Sequence, residues 1–352
     1  MRIFALYLPQ FHRIPENDKW WGEGFTEWEK VRKARPLYKG HSQPKHPLND
    51  NYYNLLDYET VKWQTDLMHT YKISGMIYYH YYFNGKLLLE KPAEQLLEWK
   101  DIDQPFFFCW ANHTWNRSWN GTKEILIKQE YGGIEDWKKH FEYLLPFFKD
   151  RRYEKIDNKP LFVLYDEKCP VKNKMFAMFD LWCKEAGFDG IQMIFEKFRF
   201  GKNSSDTKVM NFYSEPSAGR LALEEKRGKL YIRIHNFIDK MNQKGILHHI
   251  KKYDGNKIYS QLITQQRINE NDIPGIFFEW DNTPRHGQRG YIITPVDKTT
   301  FMKYMDTIKN SKYAIVNAWN EWAEGMILEP TAENGYKYLE WIKEWKDNED
   351  RI

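Results

Sequence analysis

The sequence predicts a single-domain α/β protein, a (β/α)8 TIM-type barrel with long loops after its strands, spanning residues 1–352. Two observations point to this fold. Eight short apolar runs recur along the chain without alternating polarity, as expected of parallel strands buried on both faces. Helix-like segments lie between most of these runs, and no low-complexity linker divides the chain. An open doubly wound sheet is the alternative for the same order of elements.

The apolar runs give the predicted strands, which are residues 3–8, 75–83, 106–111, 160–165, 191–195, 209–213, 275–280 and 313–318. The predicted helices are residues 57–71, 87–99, 134–148, 171–186, 237–253, 297–310 and 331–345. Asp297 is a candidate N-cap for the sixth of these helices. Residues 13–53 show no clear period, and a stretch of that length is typical of a functional loop.

The composition argues against several function classes. The net charge of +4 is spread over many acidic and basic residues, so we expect no nucleic-acid partner. The three cysteines show neither a disulfide framework nor zinc-ligand spacing, which favours a reducing compartment. The first apolar run is too short for a signal peptide, and no run is long enough for a transmembrane helix. We therefore expect a cytoplasmic protein without a transmembrane segment.

No cofactor or metal motif is complete in the sequence. Gly22 and Gly24 begin like a dinucleotide fingerprint, but the third glycine is missing. There is neither a phosphate-binding Gly-Lys-Ser/Thr loop nor a His-Glu-x-x-His zinc helix. Asp101 and Asp103 precede the third strand, at the barrel end opposite the predicted site, and we interpret them as a solvated turn. The prediction is that the protein uses no cofactor and no metal.

Aromatic residues make up 17% of the chain. The simplest interpretation is a large aromatic core with some exposed tyrosines. The alternative is a carbohydrate site, because Trp and Tyr combine apolar faces with polar edges, which suits the two-sided character of a sugar ring.

Polar residues recur late in, or just after, the predicted strands. In a (β/α)8 barrel these strand ends share one rim, where the active site is built. Any one of them is more often a structural hydrogen-bonding group, but their repetition favours a shared cleft. They are Gln10, His12, His80, Asn84, Asn112, His113, Glu196, Glu279, Asp281, Glu321 and Glu324.

Glu321 and Glu324 follow the last predicted strand and lie three residues apart among tryptophans. An extended strand would place them on opposite faces, whereas a tight turn or a first helical turn brings them to one side. A converging pair suits glycosidic bond chemistry, in which one carboxyl group protonates the leaving oxygen and the other acts as nucleophile or base. By pattern alone, a helix start with a capping or salt-bridge contact is equally compatible.

Several motifs together resemble the WbsX-type polysaccharide biosynthesis proteins, which are also described as glycoside hydrolase family 99-like. The principal match is residues 317–325 (NAWNEWAEG), followed by Leu-Glu-Pro at 328–330. The others are residues 5–12 (ALYLPQFH), 24–28 (GFTEW), 79–85 (YHYYFNG), 109–112 (CWAN) and 278–284 (FEWDNTP). These matches extend from the first predicted strand to the last.

The resemblance implies a (β/α)8 barrel related to endo-α-mannosidases and a role in O-antigen (lipopolysaccharide) or capsule biosynthesis. In those hydrolases one glutamate deprotonates the 2-hydroxyl of the sugar, which attacks C1. A second glutamate protonates the leaving group and then activates water, a substrate-assisted exception to the usual carboxylate pair. By motif, Glu321 matches the base and Glu324 the general acid/base. This route favours a manno-configured sugar, whose 2-hydroxyl lies trans to the leaving group.

Three positions depart from the hydrolase branch, which has Phe, His and Thr where this chain has Trp319, Ala323 and Met326. Whether water or another hydroxyl group accepts the sugar therefore stays open. A glycosyltransferase that uses an activated sugar donor is the second hypothesis, and a non-catalytic glycan-binding protein is the third. An oligosaccharide or polysaccharide is the expected partner. The residues predicted to bind it around the carboxylate pair are His12, Glu27, His80, Trp110, Asn112, Glu279, Asp281, Trp319, Asn320 and Trp322.

Overall fold

The computed structural model describes residues 1–117, 124–198, 209–243, 246–247, 249–265 and 271–349. Its central element is a parallel sheet whose strands follow one another around a barrel. The barrel strands are β1 (Arg2–Tyr7), β2 (Gly75–Phe83), β3 (Phe106–Trp110), β4 (Lys159–Leu164), β5 (Gln192–Lys197), β6 (Met210–Tyr213), β7 (Asp272–Ile273 and Gly275–Ile276) and β8 (Tyr313–Val316).

The barrel closes through β7. Its first segment pairs in parallel with β6, and its second segment pairs in parallel with β8. Only Pro274 separates the two segments, and the proline nitrogen has no hydrogen to donate to a neighbouring strand. The described residues form nine parallel strand segments. Because the two segments of β7 share one position, the nine segments fill the eight positions of the barrel in chain order. The (β/α)8 prediction is confirmed, and the open-sheet alternative is excluded.

Helices follow most of the barrel strands. They are Tyr58–Thr70 after β1, Lys91–Glu98 after β2, Ile134–Lys149 after β3, Lys172–Glu185 after β4, Ser217–Lys226, Lys229–Gln243 and Gly255–Gln265 after β6, Lys298–Ile308 after β7, and Lys337–Glu349 after β8. Asp297 caps the helix after β7 as predicted, because its side chain accepts a hydrogen bond from the backbone N–H of Thr300 at 2.7 Å. Within the described residues, no helix is both long and apolar enough to cross a membrane.

Shorter elements lie in the loops between the strands and helices. The short helices are Pro15–Trp21, Trp28–Lys33 and Thr283–His286, and the 3₁₀ turns are Leu48–Asp50, Gly287–Arg289 and Trp322–Glu324. The short strands are Lys86–Leu88, Trp115–Asn116, Ile125–Ile127, Lys155–Ile156, Lys251–Tyr253, Trp280–Asp281, Tyr291–Ile293, Asn320–Glu321 and Met326–Ile327.

Aromatic side chains fill much of the core. Phe4 and Phe107 meet edge to face with ring centroids 5.0 Å apart, and both are fully buried. Two buried hydroxyls of this core are paired: that of Tyr7 donates to Gln64 at 2.6 Å, and that of Tyr78 donates to Gln104 at 2.6 Å. Much of the aromatic excess is therefore core packing, which was the simpler interpretation of the composition.

Some predicted boundaries are wrong. The helix predicted at 237–253 is instead Lys229–Gln243, and Lys251–Tyr253 is a strand paired with Tyr291–Ile293. The helix predicted at 87–99 begins only at Lys91, because residues 86–88 form a hairpin with β2. The last helix begins at Lys337 rather than 331, because Thr331 forms a bridge with Pro47. In each case a tertiary strand contact outweighs local helical propensity.

Candidate active site

A cavity of about 420 Å³ opens at the carboxyl ends of the barrel strands. Each strand position contributes one or more lining residues from its carboxyl-terminal half or the loop that follows. These residues are Leu8, Tyr79, Tyr81, Ala111, Tyr165, Glu196, Ser214, Trp280 and Asn317. Loops supply further walls, including Trp21, Trp115, Arg285, Glu321, Glu324 and Met326. The cavity therefore lies at the rim where the strand-end polar residues predicted a cleft.

Glu321 and Glu324 both reach this cavity because the chain makes one tight turn between them. Strands Asn320–Glu321 and Met326–Ile327 pair as a short antiparallel hairpin, and Trp322–Glu324 forms a single 3₁₀ turn. Glu321 directly precedes this turn and Glu324 ends it, and both residues line the cavity. The tight-turn interpretation of the motif is confirmed.

Gly325 ends this turn with a positive φ of 64°. A Cβ atom at this position would lie 2.8 Å from the backbone nitrogen of Asp281. Glycine alone combines the left-handed conformation with this close approach, so Gly325 holds the turn against the segment after β7.

Arg285 joins the two glutamates. Its Nη2 donates to Glu321 at 3.0 Å, and its Nη1 donates to Glu324. Its Nε and Nη2 donate to Glu27 at 2.9 and 2.6 Å. Burial lowers the pKa of Arg285, but the three carboxylates outweigh this effect, so the pKa lies well above its ordinary value. A permanently charged guanidinium thus orients both predicted catalytic groups.

The carboxyl group of Glu321 has a shifted pKa. Burial raises the pKa of Glu321 to about 8. Arg285 opposes this rise, whereas Glu324 and Glu27 add to it. A carboxyl group that exchanges its proton near neutral pH suits the work of a general acid or base.

Glu196 is a third carboxyl group of the cavity wall, near the end of β5. Burial raises its pKa to about 8, with a smaller opposing effect from a hydrogen bond of Ser214. Its Oε2 atom lies 4.0 Å from the sulfur of Cys109. A group with this pKa is mostly protonated at neutral pH, so it can donate a hydrogen bond into the cavity.

Aromatic rings form apolar walls beside the carboxylates. Tyr81 and Trp115 meet edge to face with centroids 4.9 Å apart, and both line the cavity. Trp280 stacks on Tyr291 with centroids 5.3 Å apart and an interplanar angle of 15°. Rings supported in this way offer fixed planes on which the apolar face of a sugar can pack.

Trp319 and Trp322, two predicted substrate contacts, point instead to buried Glu329. Their Nε1 atoms donate to this carboxylate at 2.7 and 2.8 Å. Tyr53 and Gln64 also donate to it, at 2.7 and 2.6 Å. The two tryptophans therefore anchor, from the side away from the cavity, the turn that carries the predicted catalytic pair. Burial raises the pKa of Glu329 to about 7, and the four hydrogen bonds oppose that rise.

Asn320 also has a structural contact, because its side-chain amide pairs with the backbone of Leu8 at the end of β1. The Oδ1 atom accepts from the Leu8 N–H at 2.7 Å, and Nδ2 donates to the Leu8 carbonyl at 3.1 Å. Asn112 forms the same kind of pair with the backbone of Asp166, at 2.7 and 2.9 Å. Each amide thus ties together the loops that follow two different strands.

His80 and Trp110 lie within the core. His80 Nε2 is 2.8 Å from His140 Nε2, and burial lowers the pKa of His80 to about 3, so the ring is neutral. Trp110 donates its Nε1–H to the carbonyl of Tyr82 at 3.2 Å.

His12, Glu279 and Asp281 hold loops together. His12 pairs with the carbonyl of Pro9 at 2.8 Å, and burial lowers its pKa to about 4. Lys45 donates to Glu279 at 3.3 Å, and Asp281 pairs with His41 at 2.7 Å. The last two contacts fasten the loop after β1 to the segment after β7.

The structure therefore places the predicted residues in two groups. Glu321 and Glu324 line the cavity, and Glu27 reaches the cavity through Arg285. The other nine predicted substrate contacts are absent from the described lining, because buried polar partners hold their side chains elsewhere. Among the lining residues, Gln10, His113 and Glu196 are strand-end polar residues that the sequence singled out, and Trp280 lies inside one of the family motifs. Arg285 directly follows that motif, and no feature of the sequence marked it as a site residue.

Comparison with known proteins adds a family to this geometry. Residues 3–342 match the model of a family described as Glycosyltransferase WbsX. Two curated relatives are described as uncharacterized protein WxcX, from strains B100 and ATCC 33913 of Xanthomonas campestris pv. campestris. They are 28% identical over 359 residues and 29% identical over 353 residues. Each alignment covers 96% of this chain and 48% of the relative, so the chain spans about half the length of these relatives.

Solved structures share the fold. The GH99 endo-alpha-mannosidase from Bacteroides thetaiotaomicron superposes with a TM-score of 0.56 at 14% identity, covering 99% of this chain and 98% of that one. A protein described as glycoside hydrolase-like superposes with a TM-score of 0.59 at 12% identity, covering 98% and 93%. At these identities the likeness concerns the fold alone. The family match covers nearly the whole chain, and the protein belongs to the WbsX glycosyltransferase family, on a barrel of the kind found in GH99 endo-alpha-mannosidases.

Proposed function

We propose that this protein acts on glycosidic bonds of a bacterial surface polysaccharide, with Glu321 and Glu324 as its catalytic pair. Family and fold together indicate a carbohydrate-active enzyme related to GH99. The observation that carries the finer proposal is the convergence of both carboxylates on an aromatic-walled cavity, where one guanidinium contacts both. O-antigen or capsule as the polysaccharide, and the cytoplasm as the location, are parts of the same proposal.

In the proposed reaction the ionised form of Glu321, whose share grows as the pH rises toward its pKa of about 8, takes the proton of the 2-hydroxyl of a manno-configured sugar. The 2-oxygen attacks C1 while Glu324 gives its proton to the leaving oxygen, and a 1,2-anhydro sugar results. Glu324 then removes a proton from the incoming hydroxyl, which opens the three-membered ring at C1 and returns the first proton to the 2-oxygen through Glu321. This sequence keeps the anomeric configuration, because C1 is inverted twice.

Arg285 has two tasks in this proposal. Its guanidinium donates to both carboxyl groups and opposes the rise in the pKa of Glu321, which favours the ionised form that acts as the base. A carboxylate held by a guanidinium has no proton to give, so Arg285 has to exchange its contact with Glu324 for substrate when Glu324 acts as the acid. Glu196, held mostly neutral, is placed to donate a hydrogen bond to a sugar hydroxyl.

A glycosyltransferase is the second candidate, and the description of the family favours it. The same pair would then transfer the sugar from an activated donor to an acceptor hydroxyl in place of water. Met326, an apolar residue of the cavity wall, lies beside the pair and suits an acceptor with an apolar face. Strict dependence of product formation on a sugar nucleotide or lipid-linked sugar would establish the transferase and exclude the hydrolase.

The test is to incubate the protein with the glycan encoded by its neighbouring genes and to follow cleavage or extension by mass spectrometry. Glu321→Gln and Glu324→Gln should fold but lose at least ~10²-fold in turnover, since each removes a proton-transfer group. Glu333→Gln, on an acidic residue that does not line the cavity, is the control and should keep full activity. Full activity in both cavity variants would refute the assignment. Binding in calorimetry without any product would favour the non-catalytic glycan-binding protein.

A further inference from the structure

The helix Lys229–Gln243 carries an exposed apolar stripe. Leu230, Ile234 and Phe237 are 71%, 50% and 60% exposed, although large apolar side chains are usually buried. Their spacing of four and three residues places them on one face of the helix. Ile246 and Leu247, just beyond the helix, are exposed as well. The helix thus presents a stripe of three large apolar side chains to solvent, and two more exposed apolar residues follow it in the chain.

Basic residues flank this stripe. Lys229, Arg233 and Lys240 are exposed, and helical spacing places all three along the same side of the apolar face. Residues 226–252 contain eight Lys and Arg residues and a single acidic residue, Asp239. The whole chain has a net charge of only +4, so the positive charge is concentrated in this segment.

The opposite face of the helix lies toward the short strand Lys251–Tyr253. The ring of His235 lies 6.4 Å from that of Tyr253. The helix also contacts the turn Gly287–Arg289, which directly follows the short helix that carries Arg285. The apolar stripe is therefore anchored next to the segment that builds the cavity.

We propose that this helix docks on an anionic phospholipid bilayer and holds the protein at a membrane surface. A helix with an apolar face bordered by Lys and Arg is the pattern of interfacial helices, in which the apolar side chains enter the headgroup region and the basic ones meet anionic lipids. A protein partner suits the stripe less well, because the cores of protein interfaces are depleted in Lys. The docked helix would hold the cavity close to the membrane.

Membrane binding is independent of the proposed reaction, because it is measured without any glycan. The purified protein is sedimented with vesicles of phosphatidylcholine alone or of phosphatidylcholine mixed with phosphatidylglycerol. We expect the bound fraction to be at least ~10-fold higher with the anionic vesicles, and to fall as salt is added. Phe237→Trp, with its ring in the stripe, should show a blue shift of emission on binding.

Two variants test whether the apolar stripe itself, rather than any exposed apolar residue, drives vesicle binding. The triple variant Leu230→Ser/Ile234→Ser/Phe237→Ser should lose at least ~10-fold of its vesicle affinity, because less apolar surface enters the interface. The matched control Ile134→Ser/Leu181→Ser removes side chains that are 56% and 46% exposed on other helices, and should bind as the parent does. Thermal unfolding verifies that each variant is folded, and Phe237→Ser alone replaces the triple variant if that one unfolds.

Three results would overturn the inference. One is equal binding to neutral and anionic vesicles, or no binding to either. Another is unchanged affinity of the serine variant. The third is a dimer in analytical ultracentrifugation that the serine variant abolishes, because a second copy of the chain would then be the occupant of the stripe.

Discussion

Arg285 binds Glu27 through two nitrogens of its guanidinium group, Nε at 2.9 Å and Nη2 at 2.6 Å. Glu27 is fully buried in the loop after β1, whereas Arg285 follows β7. The contact fixes the plane of the guanidinium, so that its outer nitrogens face Glu324 and Glu321. A loop from the beginning of the chain thereby positions a carboxylate pair at its end.

Glu27→Gln tests this positioning role. We expect kcat to fall ~10²-fold with a smaller change in KM, because the guanidinium loses its fixed orientation. Loss of the Glu27 charge, one cause of the raised pKa of Glu321, should also shift that pKa downward. Isotope-edited NMR titration of the Glu321 carboxyl group, assigned with Glu321→Gln, measures the shift without substrate. Glu23→Gln, whose side chain is 91% exposed, is the control. An unmoved titration in Glu27→Gln would contradict the role.

Glu196 should make stability depend on pH. Its pKa of about 8 lies above the ordinary value of 4.5, so the folded protein keeps a proton that the unfolded chain releases between these values. The corresponding stability is present below about pH 4.5 and is lost as the pH rises toward 8. Between pH 4.5 and 8 the free energy of unfolding should therefore fall less in Glu196→Gln than in the parent, and the difference should reach about 4 kcal/mol. Urea unfolding at several pH values measures this difference, and exposed Glu185→Gln should follow the parent. Parallel curves for the parent and Glu196→Gln would contradict the proton assignment.

Glu329→Ala should destabilise the fold strongly. The substitution leaves four buried donors without their acceptor, from Trp319, Trp322, Tyr53 and Gln64. At about 1–3 kcal/mol per unsatisfied group, we expect a loss of at least about 3 kcal/mol in the free energy of unfolding. Denaturant unfolding provides the measurement, and Glu329→Gln, which keeps one acceptor oxygen, should lose less. Equal stability of parent and Ala variant would show that these donors find other partners.

Trp115→Ala should weaken glycan binding without abolishing catalysis. Trp115 lines the cavity and is held edge to face by Tyr81. Loss of its ring should cost about 0.5–1.5 kcal/mol of affinity, a factor of up to about ten, seen in KM rather than in kcat. Calorimetry with the cognate glycan measures it directly. Trp115→Phe keeps a flat apolar face and should retain most of the affinity. A larger loss in the Phe variant than in the Ala variant would argue against ring packing.

The sequence predicts the barrel well because parallel strands buried on both faces leave long apolar runs. The bounds of β2 agree with the prediction at both ends, residues 75 and 83. The turn at Glu321 and Glu324 was also predictable, since three-residue spacing needs a turn to converge.

The hydrogen-bond partners of individual side chains were not predictable in the same way. Trp319 and Trp322 lie beside the pair in sequence, but both donate to Glu329, and only the folded chain shows which carboxylate accepts an indole N–H. Arg285 likewise reaches Glu27 across 258 positions of sequence, a separation that no local pattern reports.

One guanidinium among three carboxylates leaves an excess of negative charge in a confined space. Glu27, Glu321 and Glu324 share the single cation of Arg285, so the charges of its neighbours set how readily Glu321 binds a proton. Substitution of Glu27, Glu324 or Arg285 should therefore displace the titration of Glu321. The pH–rate profile of this protein is then a joint property of residues brought together from the first and last parts of the chain.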